Sequence, residues 1–387
     1  MKFIHLSDLH LGKRVNGFSM LQDQEDILDK LLTAAEAEQP DAVLIAGDIY
    51  DKSVPSAEAV RLFDRFLTRL AELNFDGRGV AVCLISGNHD SPERLSFGGR
   101  LMERSGVYVS PVYNGTFTPV TLMDAFGPVH VYLLPFVKPV HVRAALPDPG
   151  QAGEIVTFTD AAAWAVSRMG IDPAARNVLL CHQFVTGAVT CDSESISVGG
   201  SDNVDVSVFQ DFDYVALGHL HGPQSVGRET IRYCGSPLKY SFSEANQTKS
   251  VTIVELAQKG SVSVRTIPLT PIHDLRELRG TYQELTLRDN YEGTATEDYL
   301  RITLSDENDV PNAMEKLRVI YPNLMELRYD NRRTRSQATL KAMEQIELAS
   351  PMSLFQQFYQ MQNNQPMSEE QTAFVQKIME EIWEDEQ

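Results

Sequence analysis

The stretch Lys2-Phe3-Ile4-His5-Leu6-Ser7-Asp8-Leu9-His10 begins as a short apolar run and then turns polar. Its first five residues have the length and composition of a buried β-strand, and Asp8 and His10 follow shortly after that strand. The same order returns at Ala42–Ala46, which is followed by Asp48. These segments predict strands that bring potential ligand side chains to one edge of a sheet.

Short apolar runs of this kind alternate with helical patterns. Gln22–Glu38 and Ala57–Leu73 place apolar side chains at helical spacing, so the alternation predicts an α/β layered domain. Three later strands, Thr230–Cys234, Ser250–Leu256 and Ser261–Pro268, follow one another without helices, which suggests an antiparallel part. The predicted strands of the first part are Lys2–Leu6, Ala42–Ala46, Val80–Ile85, Val129–Leu134, Asn177–Cys181 and Tyr214–Leu217.

Five polar clusters follow the predicted strands. In open α/β sheets, ligands bind in the crevice beyond the carboxyl ends of the strands. Such residues also serve as caps and turns, but five clusters of metal-ligand residue types in one chain argue against that explanation. The clusters are Asp8-Leu9-His10, Gly47-Asp48-Ile49-Tyr50-Asp51, Gly87-Asn88-His89-Asp90, Cys181-His182 and Gly218-His219-Leu220-His221.

The residue types in these clusters indicate a particular kind of metal site. Two ligands spaced two residues apart, as in Asp8-Leu9-His10, lie on one face of an extended backbone. Mixed Asp, His and Asn ligation suits Mn²⁺, Fe²⁺ or Zn²⁺, and it does not suit a structural zinc site. Seven ligands are about right for two ions that share a carboxylate. Paired metals ~3.5–4 Å apart act on phosphate esters.

Composition indicates an ordinary globular protein, with 43% hydrophobic and 22% charged residues. The start of the chain turns polar at Ser7, and no apolar run approaches the ~18–20 residues that span a bilayer. Cys83, Cys181 and Cys234 lie in apolar runs and are expected to be buried free thiols. We therefore expect a soluble, cytoplasmic protein.

The formal net charge of −19 argues against a nucleic-acid binder, whose usual footprint is basic. Two features weaken that objection. Residues 368–387 alone have a net charge of −6, so the acidity is uneven. Some of the other carboxylates would also be metal ligands, and bound cations invert the local sign of the charge.

The five clusters, in this order, resemble the motifs of the calcineurin-like metallophosphoesterases. The match is closer to the SbcD family, the nuclease subunits of SbcC–SbcD complexes, and it covers essentially the whole chain. It rests on His5–Gly12, Asp213–His221 and Tyr233–Phe242, while His273–Gly280 resembles the family's link into its second domain. The resemblance implies a layered sandwich of two sheets flanked by helices, with a smaller α+β capping domain and C-terminal helices.

The resemblance also implies the site residues. The residues that match the ligands of one metal are Asp8, His10, Asp48 and His221. Those that match the ligands of the other are Asp48, Asn88, His182 and His219, with Asp48 bridging. His89 would stabilise or protonate at the scissile phosphate. We expect Asp51 and Asp90 to orient neighbouring groups. Gly222 departs from the pattern, since a basic residue is expected there.

Around Pro271–Gly280 the pattern changes and a second unit begins, as the length of 387 residues allows. This unit has predicted strands at Tyr299–Leu304 and Leu324–Tyr329, a helix that starts near Pro311, and another near Ser336–Leu348. We expect a metallophosphoesterase nuclease domain at 1–270, a capping domain at 271–348 and partner-binding helices at 349–387.

Two apolar faces follow Pro351. Their residues recur with helical period and include Phe358 in the first face and Trp383 in the second. Packing onto the protein's own core is the alternative, but a strongly acidic opposite face favours docking onto a partner. In SbcD-like proteins this region binds SbcC, an ABC-type ATPase, and the expected assembly is a homodimer within a heterotetramer. This chain lacks the G-x-x-x-x-G-K-[ST] motif, so ATP hydrolysis would require another chain.

Two other groups of residues leave alternatives open. One dense basic cluster has two interpretations: a solvated surface, or a contact with DNA or a partner. The cluster comprises Arg328, Arg332, Arg333 and Arg335. Asp192, Ser193 and Glu194 lie in the long loop after His182, where solvation and substrate contact are both open.

The leading hypothesis is a DNA nuclease with two divalent ions, most consistent with Mn²⁺, with Mg²⁺ or Fe²⁺ as alternatives. It would act as an exonuclease on double-strand ends and as an endonuclease on single strands or hairpins, in DNA repair, recombination and replication. A small-molecule phosphodiesterase or phosphatase could use the same motifs. The ~100 residues after Pro271 argue against it, since a small-substrate enzyme has no need of them. A non-catalytic scaffold is disfavoured by the intact ligand motifs.

Overall fold

The computed structural model describes residues 1–194, 202–332, 334, 352, 355–356, 359, 367–368, 371–372 and 374–376. The chain divides into two compact units. Unit 1 comprises residues 1–194 and 203–276, and unit 2 comprises residues 195–202 and 277–387.

Unit 1 is built from two six-stranded sheets. The strands of these two sheets are β1 (Lys2–Leu6), β2 (Ala42–Ala46), β3 (Ala81–Ile85), β4 (Val107–Ser110), β5 (Val120–Asp124), β6 (Gly127–Leu134), β7 (Arg176–His182), β8 (Tyr214–Gly218), β9 (Gln224–Val226), β10 (Arg228–Tyr233), β11 (Ser250–Leu256) and β12 (Val262–Pro268). Its helices are α1 (Leu21–Glu38), α2 (Ala57–Glu72), α3 (Pro92–Leu95), α4 (Gly99–Met102), α5 (Pro139–Ala144) and α6 (Phe158–Ser167).

The first sheet has the order β12-β11-β1-β2-β3-β4, and the second has the order β9-β10-β8-β7-β6-β5. Strands β1 to β4 are parallel, as are β6, β7, β8 and β10. Every residue of β2, β3, β7 and β8 is buried. Parallel strands that are covered on both faces have continuous apolar sequences, which explains these runs.

One core joins the inner faces of the two sheets. It includes Phe3 and Leu44 from the first sheet and Leu180 and Tyr214 from the second. A second core lies on the other face of the second sheet, where Ala161 and other residues of α6 pack. The predicted two-sheet sandwich flanked by helices is therefore confirmed.

Most predicted elements of unit 1 form within two residues of their predicted bounds, and the predicted burial of three cysteines is confirmed. The antiparallel part is confirmed for β11 and β12. For Thr230–Cys234 it is confirmed on one side only, because β10 pairs antiparallel with β9 but parallel with β8. The short strand β9 pairs antiparallel with β10, so the chain reverses at Gly227 and returns in the direction of β8.

Unit 2 contains β14 (Tyr299–Leu304), β15 (Leu324–Tyr329) and all but the first two residues of β13 (Leu275–Gly280), and these three strands form one sheet. Its helices are α7 (Tyr282–Thr286), α8 (Arg288–Tyr291) and α9 (Ala313–Arg318). The side chains of Leu300, Ile302, Leu304, Leu317, Tyr321 and Leu324 form a core. The two strands predicted from the sequence are confirmed, and the helix expected near Pro311 begins at Ala313.

The predicted helix at 336–348 lies outside the described residues, and so does most of 349–387, including Phe358 and Trp383. Of the basic cluster, Arg328 pairs with Glu326 at 2.5 Å, while Arg333 and Arg335 also lie outside the described residues. Across the described part of the chain, no helix combines the length and apolar character that crossing a membrane requires.

Candidate metal centre

The five polar clusters meet at the carboxyl ends of β1, β2, β3, β7 and β8. Within the first sheet, backbone hydrogen bonds join two of the loops. The N–H of Asp8 donates to Gly47 O at 3.1 Å, and the N–H of His10 donates to Asp48 O at 2.9 Å. The loop after β3 lies at the same edge of the first sheet, and the second sheet, which faces the first, brings the loops after β7 and β8 to the same place. The crevice predicted from the sequence therefore exists.

Four residues of this centre have left-handed backbone conformations. The φ angles are +54° at Asp8, +44° at His10, +49° at Asp48 and +104° at His219. Residues other than glycine rarely adopt positive φ. Tertiary contacts hold these angles; for example, the Asp8 carboxylate accepts the N–H of His219 at 3.0 Å. The loops therefore turn their side chains inward against local backbone preference.

The first ligand cluster consists of Asp8, His10 and His221, all buried, with donor atoms within 4.8 Å of one another. The Nε2 atoms of His10 and His221 are 3.1 Å apart. The buried Nδ1 of His10 has no hydrogen-bond partner among the described residues. A carboxylate and two imidazole nitrogens fit a divalent first-row cation.

The second cluster lies around Asn88. Its Oδ1 is 3.0 Å from His182 Nε2 and 3.0 Å from His219 Nδ1. The Nδ1 of His182 donates to Ala46 O at 2.7 Å, so its Nε2 carries no proton in the neutral ring. An imidazole oriented through its other nitrogen is typical of metal ligands.

Asp48 lies between the two clusters. One of its oxygens, Oδ2, is 3.6 Å from His10 Nε2 and 3.5 Å from His182 Nε2. Asp8, Asp48 and His182 also have donor atoms within 4.8 Å of one another. The same carboxylate therefore faces both clusters, as a bridging ligand requires.

Burial controls the electrostatics of the centre. Burial raises the pKa of Asp8 to about 6, and burial together with the charge of Asp48 raises the pKa of Asp90 to about 6. Burial alone would raise the pKa of Asp48, but His182 and His10 hold it well below its usual range. Burial and the neighbouring His182 lower the pKa of His219 to about 3. Bound cations would offset the free-energy cost of ionising these buried, clustered carboxylates.

Three further predicted residues lie beside the ligands. The N–H of His89 donates to Asp48 Oδ1 at 2.9 Å, and its Nδ1 lies 2.9 Å from Asp51 O. His89 is also close enough to His10 and Asp48 to bind a metal with them, so its role as a non-ligand stays a prediction. The carboxylate of Asp90 accepts the N–H groups of Gly87, Ile49 and Tyr50, which joins two loops.

Asp51 also lies beside the first cluster. Its Oδ1 accepts a hydrogen bond from Lys13 Nζ at 2.8 Å and lies 3.9 Å from His10 Nδ1. At Gly222, a Cβ would lie 3.3 Å from the side chain of Gln247. A larger residue there would have to displace that glutamine.

The sequence motifs do not include two buried residues that contact His221. Glu244 and Lys249 form a buried ion pair behind His221, with 2.5 Å between Nζ and Oε2. Their only sequence signal is an acid and a lysine five residues apart in a segment between two predicted strands. Of the three loop residues whose roles are open, two contact His221: Ser193 Oγ lies 2.8 Å from His221 Nδ1, and Glu194 Oε1 accepts the N–H of His221.

Two family models match the chain. The model described as calcineurin-like phosphoesterase matches residues 1–223. The model described as type 5 capsule protein repressor C-terminal domain, SbcD_C, matches residues 271–363.

Two curated relatives are similar over nearly their whole length, and both are named as the SbcD subunit of the nuclease SbcCD. The protein from Staphylococcus epidermidis is 31% identical over 98% of this chain and 98% of its own length. The protein from Staphylococcus saprophyticus is 34% identical over 100% of this chain and 99% of its own length.

Among solved structures, a dimetal phosphatase from Danio rerio superposes with a TM-score of 0.39 at 13% identity, covering 69% of this chain and 95% of that one. The family assignment rests on the sequence matches and on the clustered ligands. The chain belongs to the SbcD family of calcineurin-like phosphoesterases, and it is a metal-dependent phosphoesterase.

Proposed function

We propose that this protein is a DNA nuclease that uses two Mn²⁺ ions. The observation that supports it best is the position of Asp48, whose Oδ2 faces His10 on one side and His182 on the other. In this proposal the first ion is held by Asp8, His10, Asp48 and His221. The second ion is held by Asp48, Asn88, His182 and His219.

The chemistry that bound metal ions supply at such a site is activation of water and neutralisation of phosphate charge. The protein's own groups hold the geometry. Asp90 fixes the loops that contain Asp48 and Asn88, through its three backbone hydrogen bonds. Because His89 Nδ1 lies against the carbonyl oxygen of Asp51, it must donate to it. The neutral ring then has its one proton on Nδ1, so Nε2 would donate to a phosphate oxygen only in the doubly protonated ring.

DNA is the proposed substrate because both curated relatives are named as nucleases and match this chain over nearly its full length. In the proposal the enzyme acts as an exonuclease on double-strand ends and as an endonuclease on single strands or hairpins. It works in the cytoplasm, in DNA double-strand break and hairpin processing, recombination and replication.

The proposed partner is an SbcC-like ABC-type ATPase, bound through the helices predicted at 349–387. The relatives' name describes one component of an SbcCD nuclease, which supports a two-protein assembly. The absence of a nucleotide-binding G-x-x-x-x-G-K-[ST] motif from this sequence agrees with an ATPase supplied by another chain. We further propose a homodimer of this chain within a heterotetramer.

The decisive experiment is degradation of end-labelled linear duplex DNA with Mn²⁺, Mg²⁺ or a chelator, with and without the SbcC-like partner. We expect cleavage that requires Mn²⁺, is stimulated by partner and ATP, and is lost in Asp48→Asn. A parallel assay uses a small chromogenic phosphodiester. If that ester is hydrolysed while DNA stays intact under every condition, the protein is a small-molecule phosphodiesterase and the proposal fails.

A further inference from the structure

A buried ion pair lies behind His221, on the side away from His10. Glu244 ends a 3₁₀ turn, Phe242–Glu244, and Lys249 directly precedes β11. Both residues are almost completely buried, and no motif contains them. Burying a charged pair is expensive, so a structural or functional gain is expected from it.

A hydroxyl group connects this pair to His221. Ser193 Oγ donates to Glu244 Oε1 at 2.6 Å and lies 2.8 Å from His221 Nδ1. A serine hydroxyl has one proton to donate, and an ionised carboxylate can only accept. Cys191 Sγ, 3.1 Å from the same hydroxyl, is a much weaker acceptor. The Ser193 proton therefore points at Glu244, and the oxygen of Ser193 accepts from His221.

This order of donors fixes the tautomer of His221. Its Nδ1 must carry the proton that Ser193 accepts, so its Nε2 carries no proton in the neutral ring. Nε2 is the atom that faces His10 in the first ligand cluster. The backbone of His221 is held as well, since Lys249 Nζ donates to its carbonyl oxygen at 2.8 Å.

Cys191, His221 and Glu244 have donor atoms within 4.8 Å of one another, so a third metal site must be considered. Lys249 already occupies Glu244 Oε2, and Ser193 occupies Oε1. A cation there would have to displace both partners. The contacts therefore favour a role in orienting His221.

We propose that Ser193 and Glu244 are positioning residues. They hold the ring of His221 so that its unprotonated Nε2 is directed toward the metal ions. The affinity of the first ion then depends on a serine and a glutamate that do not bind it. The inference rests on the proposed function in one respect, the assignment of His221 as a ligand.

The test is calorimetric titration of Mn²⁺ into the metal-free, full-length chain. We expect Ser193→Ala and Glu244→Gln each to weaken one of two Mn²⁺ sites by about 10–100-fold and to leave the other unchanged. Because both residues act through one contact chain, the double variant should lose little more than either single variant. Ser193→Thr, which keeps a hydroxyl, should retain more affinity than Ser193→Ala.

Asp213→Asn is the matched control, since Asp213 is also a buried carboxylate paired with a lysine, Lys259, at 3.0 Å. Asp213 directly precedes β8, so it lies at the opposite end of that strand from the metal centre. We expect this variant to bind both ions as the wild type does. Equal losses in Asp213→Asn and Glu244→Gln would mean general destabilisation and would overturn the proposal.

Wild-type affinity in Ser193→Ala would overturn it too. That variant leaves the ion pair intact, so it decides the question even if Glu244→Gln fails to fold. The result of the Mn²⁺ titration does not depend on the result of the nuclease assay. Two Mn²⁺ sites in a wild type that never cleaves DNA would defeat the proposed function, while the positioning of His221 would still stand or fall by titration.

Discussion

His89 donates through its backbone to Asp48 and through its ring to the carbonyl oxygen of Asp51. If it assists at the phosphate without binding metal, His89→Ala should lower cleavage by about 10²–10⁴-fold, the usual effect of losing a proton-transfer group. Metal content by elemental analysis should stay at the wild-type level. His130→Ala is a control, since His130 belongs to none of the five clusters and its Nδ1 lies 3.0 Å from the Thr121 hydroxyl on the edge strand β5. Parallel loss of metal and activity in His89→Ala would make His89 a ligand.

Asp48 and Asn88 offer a second comparison at the same scale. Asp48 faces both clusters and supplies charge, whereas the neutral Asn88 contacts His182 and His219 of the second cluster. We expect Asp48→Ala to lose both ions and Asn88→Ala to lose one. Calorimetric Mn²⁺ titration of the two variants measures this difference, and equal losses would show that Asp48 does not bridge.

The sequence predicts which residues meet at the centre better than it predicts what surrounds them. The general location of Asp8 and His221 is predictable because each follows a predicted strand, and ligands bind beyond the carboxyl ends of such strands. Their grouping as ligands of one metal ion comes from the family resemblance. Glu244 lies 51 residues from Ser193, in no regular pattern, and its contact depends on how two loops pack. Nothing local in the sequence encodes a contact of that kind.

Among the strands, β2 and β8 approach unusually closely where they end. A Cβ on Gly218 would overlap Ala46 O and lie 2.7 Å from His182 Nδ1. Gly218→Ala should therefore destabilise unit 1 by about 1–3 kcal/mol, the usual cost of overpacking, and should weaken the metal site that contains His182. Urea unfolding and Mn²⁺ titration measure the two effects.

The control for that substitution is Gly79→Ala. Gly79 lies in open space with an ordinary backbone conformation, so we expect a change within about 0.5 kcal/mol. If Gly218→Ala is equally well tolerated, the two strands can move apart without cost.

The elements that sequence predicts well are the continuous apolar runs. Ala42–Ala46 and Tyr299–Leu304 form with the predicted bounds because each is a buried strand between polar ends. Strands β4 and β5 were missed. Each is an edge strand with one buried residue, Val107 in β4 and Val120 in β5, so neither has the run of buried residues that the central strands have.

At the scale of the whole molecule, all residues of the candidate metal centre belong to unit 1, while unit 2 has its own core. Ile302→Ala should destabilise unit 2 by about 2–5 kcal/mol because it leaves a cavity in that core. Mn²⁺ affinity should be unchanged. Thermal unfolding followed with and without Mn²⁺ measures both effects, and weaker Mn²⁺ binding in this variant would contradict the independence of the centre.

Deletion of residues 350–387 tests the predicted partner-binding helices. The centre's residues all precede residue 250, so metal binding and hydrolysis of small phosphodiesters should survive. ATP-stimulated cleavage of duplex ends and binding of the SbcC-like ATPase should be lost. In the full-length chain, Trp383→Ala should weaken partner binding by about 2 kcal/mol or more if it is an interface hot spot. Aggregation of the truncated protein, or loss of its thermal transition, would instead make the tail part of the core.

The left-handed backbone at Asp8, His10, Asp48 and His219 has a consequence for any attempt to transplant the motifs. Each such residue costs about 1–2 kcal/mol relative to ordinary backbone, so isolated peptides with these motifs would relax to other conformations. Only the two facing sheets impose the required angles. Grafting the five sequences onto the loops of an unrelated scaffold would therefore reproduce the ligands without reproducing the site.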